Sequence, residues 1–254
     1  LPVKKEIQPG RPFIALHGFT GEGADFSALS SFTGGDWHCP DLPGHGSRKE
    51  ATDDDFRLSS LEKEYITSEQ SGRIGIGYSL GGRILLNLAI RHPSAFDRLV
   101  IISRSPGLKG KTEREARRAY DQKWIEWLAN EKIENFLNDW WQQPVLRSLR
   151  NLPPAQLQNL REKRLRNSPL GLIRSLQFHG TGSLESCWES LPELETPTLV
   201  LVGELDQKFQ NIGAEMSALI PQAELRVVQN AGHAPHLEAP KKCSEEILQF
   251  LHRE

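Results

Sequence analysis

The sequence predicts an α/β fold, a mostly parallel sheet flanked by helices and interrupted by a helical cap. Three observations carry that expectation. Short apolar runs rich in Val, Ile and Leu alternate with longer stretches of helical period. Each run is followed by Gly, Ser, Asp or Asn, as in parallel strands buried on both faces. Between about Lys109 and Ser190 the strand signal disappears.

In chain order, strands are expected at residues 13–16 (FIAL), 73–77 (RIGIG), 99–102 (LVII), 198–202 (TLVLV) and 224–228 (ELRVV). A helix is expected over residues 80–90, stopped by Pro93. A closing helix over residues 243–251 places Ile247, Leu248 and Leu251 at helical spacing. Alternation of strand and helix implies a sheet covered on both faces. Residues 1–108 and 191–254 are therefore read as the core and residues 109–190 as a helical cap. Five of the six tryptophans fall in that cap: Trp124, Trp127, Trp140, Trp141 and Trp188.

Composition narrows the functional classes. A chain of 254 residues suits one α/β domain. With 37% hydrophobic and 25% charged residues, it can bury a core. A net charge of −2 gives no basic signature for nucleic acid. Mean hydropathy is −0.48 and no apolar run approaches 18 residues, so no membrane insertion is expected. The stretch LPVKKEIQPGR carries no apolar signal-peptide core. Cys39, Cys187 and Cys243 are widely spaced without CxxC, which suggests reduced thiols and a cytoplasmic setting. The sum hides an asymmetry. The cap holds 14 basic and 10 acidic residues, or +4, and the remainder holds 17 and 23, or −6. Such a cap is either a solvated surface or a lid that attracts an anion.

Gly77-Tyr78-Ser79-Leu80-Gly81 matches G-x-S-x-G. By composition alone the pattern arises in about one chain in ten of this length, so it is weak by itself. Its context makes it specific: an apolar strand precedes it and a helix follows, as in the nucleophile elbow of α/β-hydrolases. A serine hydroxyl needs a neighbour to take its proton. The order Ser, acid, His places Asp206 and His233 downstream, each just past an expected strand. His236 is the rival histidine, with a structural role suggested by Pro235 and Leu237. The loop His17-Gly18-Phe19 offers the Phe19 amide, and Leu80 after the nucleophile offers a second, as an oxyanion hole. The His17 side chain and the turn Asp41-Leu42-Pro43-Gly44-His45-Gly46 read as loop architecture. Arg83 lies four residues after Ser79, on the serine's side of the helix. There it would pair with a protein carboxylate or with a substrate carboxylate. Lys208 stands on the rim beside Asp206, and Arg117 and Arg166 belong to the basic cap. Cations converging on a serine imply a substrate with several carboxylates.

Gly77-Tyr78-Ser79-Leu80-Gly81-Gly82-Arg83, Ser105-Pro106-Gly107-Leu108, Asp139-Trp140-Trp141-Gln142-Gln143-Pro144-Val145 and Asp206-Gln207-Lys208-Phe209 together resemble the MenH family. These are the 2-succinyl-6-hydroxy-2,4-cyclohexadiene-1-carboxylate (SHCHC) synthases of menaquinone and phylloquinone biosynthesis. The resemblance runs from His17 to about His236. It implies an α/β-hydrolase fold used as a lyase. Pyruvate is eliminated from 2-succinyl-5-enolpyruvyl-6-hydroxy-3-cyclohexene-1-carboxylate (SEPHCHC) without an acyl-enzyme. By this resemblance Ser79 is the base, and His233 and Asp206 activate it. Phe19 and Leu80 offer backbone amides. Arg83, Arg117, Trp140, Arg166 and Lys208 hold carboxylates, and Tyr78 lines the pocket. Arg104 departs from the pattern, standing where a small residue is usual, and Phe26 stands where tryptophan is frequent.

No metal and no organic cofactor is expected, since neither HExxH, a P-loop nor GxGxxG after a strand is present. The expected partner is a small polycarboxylate substrate, and no obligate protein partner is evident. Two other readings of the same residues are a serine hydrolase, either an esterase or a C–C bond hydrolase, and a non-catalytic binder on the same fold.

Overall fold

The computed structural model describes residues 12–66 and 72–252. The N-terminal stretch LPVKKEIQPGR, with its expected lack of a signal-peptide core, lies outside them. Among the described residues six strands form one parallel sheet in the order β2-β1-β3-β4-β5-β6. These are β1 Pro12–Leu16, β2 Asp36–His38, β3 Ile74–Tyr78, β4 Arg98–Ile102, β5 Thr198–Gly203 and β6 Ala223–Val228. Five lie within one residue of the expected bounds. The sixth, β2, was not expected. It is three residues long, sits at the sheet edge and alternates exposed with half-buried positions, so it makes no apolar run.

The helices are α1 Ser27–Thr33, α2 Leu58–Tyr65, α3 Leu80–Arg91, α4 Lys111–Asn130, α5 Ile133–Trp140, α6 Pro154–Leu165, α7 Pro169–His179, α8 Gln207–Leu219, α9 Pro235–Glu238 and α10 Pro240–Leu251. Helix α10 starts three residues before the expected bound because Pro240 stands in its first turn, where a missing N–H costs nothing.

Strand period sorts the core into two layers. Phe13, Ala15, Ile74, Ile76, Val100, Ile102, Leu199 and Leu201 pack with Leu29 of α1 and Ile247 and Phe250 of α10. The alternate positions Ile14, Leu16, Leu99, Ile101, Val200 and Val202 pack with Leu61 of α2, Ile84 and Leu88 of α3 and Met216 of α8. Both faces of β1, β3, β4 and β5 are thus buried, which explains their continuous apolar spelling.

Between β4 and β5 the chain runs through α4 to α7 with no strand among the described residues. This segment has a smaller core of its own, built from Leu128, Phe136, Leu137, Trp140, Leu172 and Leu176. Trp124 meets Trp140 edge-on at 5.0 Å, and Phe136 stacks on Trp140 at 5.6 Å. The tryptophans thus supply the apolar area that this highly charged segment otherwise lacks.

Candidate active site

The elbow is built from steric necessity. Ser79 adopts φ 48° and ψ −109°, outside the usual range of a side-chain-bearing residue. The turn closes only because its flanks lack side chains. A Cβ at Gly77 would stand 2.5 Å from the Gly82 Cα, and one at Gly81 would stand 2.1 Å from the Leu16 carbonyl oxygen. The Ser79 amide donates to the Ile102 carbonyl at 3.0 Å, which pins the turn to the end of β4.

Asp206 and His233 follow β5 and β6. Ser79 Oγ donates to His233 Nε2 at 3.3 Å, and His233 Nδ1 donates to Asp206 Oδ2 at 2.7 Å. The tautomer follows from these partners. Asp206 caps α8, its Oδ1 accepting from the Phe209 amide at 3.3 Å, so its carboxylate is held from two sides. The chain order and the contacts match a nucleophile, a base and an orienting acid. His236 makes no such contact. It is buried without a hydrogen-bond partner, 5.1 Å from the Phe26 ring and 4.3 Å from the Tyr78 ring. Burial lowers its pKa to about 3 and leaves it a neutral packing group.

His17 holds its loop. Its Nε2 accepts from the Leu42 amide at 2.9 Å and its Nδ1 donates to the Gly18 carbonyl at 2.8 Å. Asp41 ties the neighbouring turn by accepting from the Gly23 and Ser47 amides, both at 2.8 Å. Phe19 is thereby placed on the wall of the cavity. Leu80, as the first residue of α3, presents an amide that no preceding turn can use.

A cavity of about 480 Å³ opens above Ser79. Ser79, His233, Phe19, Tyr78, Arg117, Trp140 and Lys208 all line it. Its charged lining comprises Arg104, Arg117, Arg164 and Lys208 against the single carboxylate of Asp25.

Two expected residues stand elsewhere. Arg166 is exposed at the end of α6 and does not line the cavity. Arg164, two residues earlier, does so instead. Two positions along a helix turn the side chain by about 200°, so only one of the pair faces inward. Arg164 shares its face with Leu160, buried four residues before, and that spacing was the available signal. Its guanidinium forks onto Asp25, with Nη1–Oδ1 at 3.0 Å and Nη2–Oδ2 at 2.6 Å. Burial works against ionising Asp25, but Arg164 prevails and lowers its pKa.

Arg83 is the second correction. It faces the serine's side but lies beneath the cavity rather than in its lining. Its Nη1 donates to the Gly180 carbonyl and its Nη2 to Thr181 Oγ1, each at 2.9 Å. Among the described residues it forms no ion pair with a protein carboxylate, and its two bonds fasten the end of α7 to α3. Burial, then the nearby Arg117, lowers its pKa to about 9. Arg117 itself bonds Asp121 at 2.8 Å, one turn on.

The fold and elbow define a class that family comparison also recovers, since an α/β hydrolase fold model matches residues 11–240. The chain is 32% identical over 248 residues to the 2-succinyl-6-hydroxy-2,4-cyclohexadiene-1-carboxylate synthase of Klebsiella pneumoniae, spanning 96% of this chain and 95% of that one. It is 29% identical over 270 residues to the chloroplastic protein PHYLLO of Arabidopsis thaliana, spanning 98% of this chain and 16% of that much longer protein. The solved structure of MenH from S. aureus matches with a TM-score of 0.89 at 31% identity, covering 96% of this chain and 94% of that chain. The chain belongs to the SHCHC synthase (MenH) family within the α/β-hydrolase fold.

Proposed function

We propose that this chain eliminates pyruvate from SEPHCHC to give SHCHC, as a lyase of menaquinone or phylloquinone biosynthesis. The observation that carries this reading is one cavity with two features: a bonded Ser79–His233–Asp206 chain on its wall, and four cations against one carboxylate in its lining. A small substrate bearing several carboxylates complements that charge.

In this mechanism Ser79 Oγ removes the ring proton next to the succinyl carbonyl while its own proton passes to His233 Nε2. Asp206 stabilises the imidazolium. The electron pair moves onto the carbonyl oxygen, where the amides of Phe19 and Leu80 receive the charge. Its return shifts the ring double bond and breaks the C–O bond to the enolpyruvyl group, and the released enolpyruvate takes up the proton held by His233 to become pyruvate. Arg117, Lys208 and Trp140 orient the substrate, with Tyr78 beneath it. Residues 109–190 act as a cap on a core formed by residues 1–108 and 191–254. The thiols of Cys39, Cys187 and Cys243 are free, which fits a reducing, cytoplasmic compartment. Among the described residues no helix is long and apolar enough to cross a membrane.

The test is a coupled pyruvate assay on enzymatically generated SEPHCHC. Stoichiometric pyruvate is the expected result. A trapped acyl-Ser79 without pyruvate release would replace this reading by a serine hydrolase.

A further inference from the structure

Among the described residues, Arg104 is the buried cation of the cavity lining that forms no ion pair with a carboxylate. It lies two residues past β4, beside the elbow. Ser103 before it has φ 45°, a left-handed turn that directs the chain inward. The stem of Arg104 runs over the elbow helix, and a Cβ at Gly82 would stand 3.1 Å from its Cβ and 3.2 Å from its Cγ. Only 5% of the residue is exposed. Its Nε donates to the Ser105 carbonyl at 2.8 Å. Its Nη2 is buried without a hydrogen-bond partner. Among the described residues it forms no salt bridge.

Its surroundings raise the cost. Arg83 and Arg117 both repel its charge, and Asp121 is the carboxylate that opposes them. Asp121 is already bonded to Arg117. Three guanidinium groups therefore share one carboxylate. A buried, unpaired charge costs several kcal/mol, and arginine, unlike lysine, does not escape by losing its proton. A fold that keeps such a group at the wall of its cavity is incomplete without an anion there. The planar fork of a guanidinium suits a carboxylate.

We propose that Arg104 is a substrate-contacting, specificity-determining residue whose unpaired edge receives one carboxylate of the polycarboxylate substrate. The proposal rests on the lyase reading for the identity of that substrate. Its anion site is testable without it.

The experiment compares wild type with Arg104→Met, which keeps the stem but not the charge, and Arg104→Lys, which keeps the charge but not the fork. Two quantities are read: the thermal midpoint with and without succinate, and KM and kcat for pyruvate release. Arg104→Met is expected to be at least as stable as wild type without ligand, to lose the succinate-induced rise in Tm, and to raise KM at least tenfold with a smaller change in kcat. A purely structural arginine would give the opposite split, a lower Tm at unchanged KM. Either an unchanged KM or an undiminished succinate response overturns the proposal, as does a wild type whose Tm ignores succinate. If Arg104→Met does not fold, Arg104→Lys decides by the same two readouts. If wild type releases no pyruvate, the lyase reading fails, and the succinate comparison alone decides the anion site.

Discussion

The two walls of the cavity satisfy their polar atoms in opposite ways. On the triad wall each group has its partner: Ser79 has His233, His233 has Asp206, and Asp206 has the Phe209 amide as well. On the cation side Arg104 Nη2 in the lining, and Arg83 Nε and Asp121 Oδ2 outside it, are buried without hydrogen-bond partners. The first arrangement is complete before substrate arrives, as a preorganised proton relay must be. The second would be completed by the anion proposed for Arg104. Chemistry and recognition therefore place different demands on the same small cavity.

The largest effect should come from the satisfied wall. Ser79→Ala is expected to lower kcat at least 10³-fold with little change in Tm, read by the pyruvate assay and thermal unfolding. Wild-type turnover would break the comparison at its centre. Next is the buried Arg164–Asp25 pair. Asp25→Ala leaves Arg164 buried and alone, and chemical denaturation should show a loss of about 3–5 kcal/mol. Arg83→Lys keeps the charge but loses the fork onto Gly180 and Thr181. A loss of about 1–3 kcal/mol is expected, with KM rising as the cap loosens.

Buried histidines sharpen the comparison through pH. Burial lowers the pKa of His179 to about 4 and of His236 to about 3. Below pH 6.5 the unfolded chain takes up protons that the folded chain refuses. Stability should therefore be complete above about pH 6.5 and fall as pH drops toward 4 and 3. His236→Phe, beside Phe26 and Tyr78, should shrink that fall in a pH series of unfolding midpoints. The smallest effect is expected for Arg166→Ala, less than about twofold in kcat/KM, because an exposed residue outside the cavity has no carboxylate to hold. A larger drop would return Arg166 to the site.

Much of this was legible in the chain. Strands buried on both faces spell themselves as apolar runs, so β1, β3, β4, β5 and β6 could be read directly. The edge strand β2 could not, because half-exposed residues carry no such pattern. The triad was legible because each member follows a strand, and strand ends converge on one rim of a parallel sheet. The cations were less so. Whether a guanidinium between β4 and β5 faces the cavity depends on the rotation of its helix, which separated Arg164 from Arg166. What Arg83 bonds depends on Gly180 and Thr181, nearly a hundred positions away, and no local spacing encodes that contact.

The grip of Arg83 reaches further than its two bonds. The helix it grows from begins directly after Ser79, and its first residue is Leu80, whose amide is proposed to receive the developing negative charge. Two bonds of one guanidinium thus tie the segment that carries Thr181, on the cavity lining, to the helix that starts at the serine.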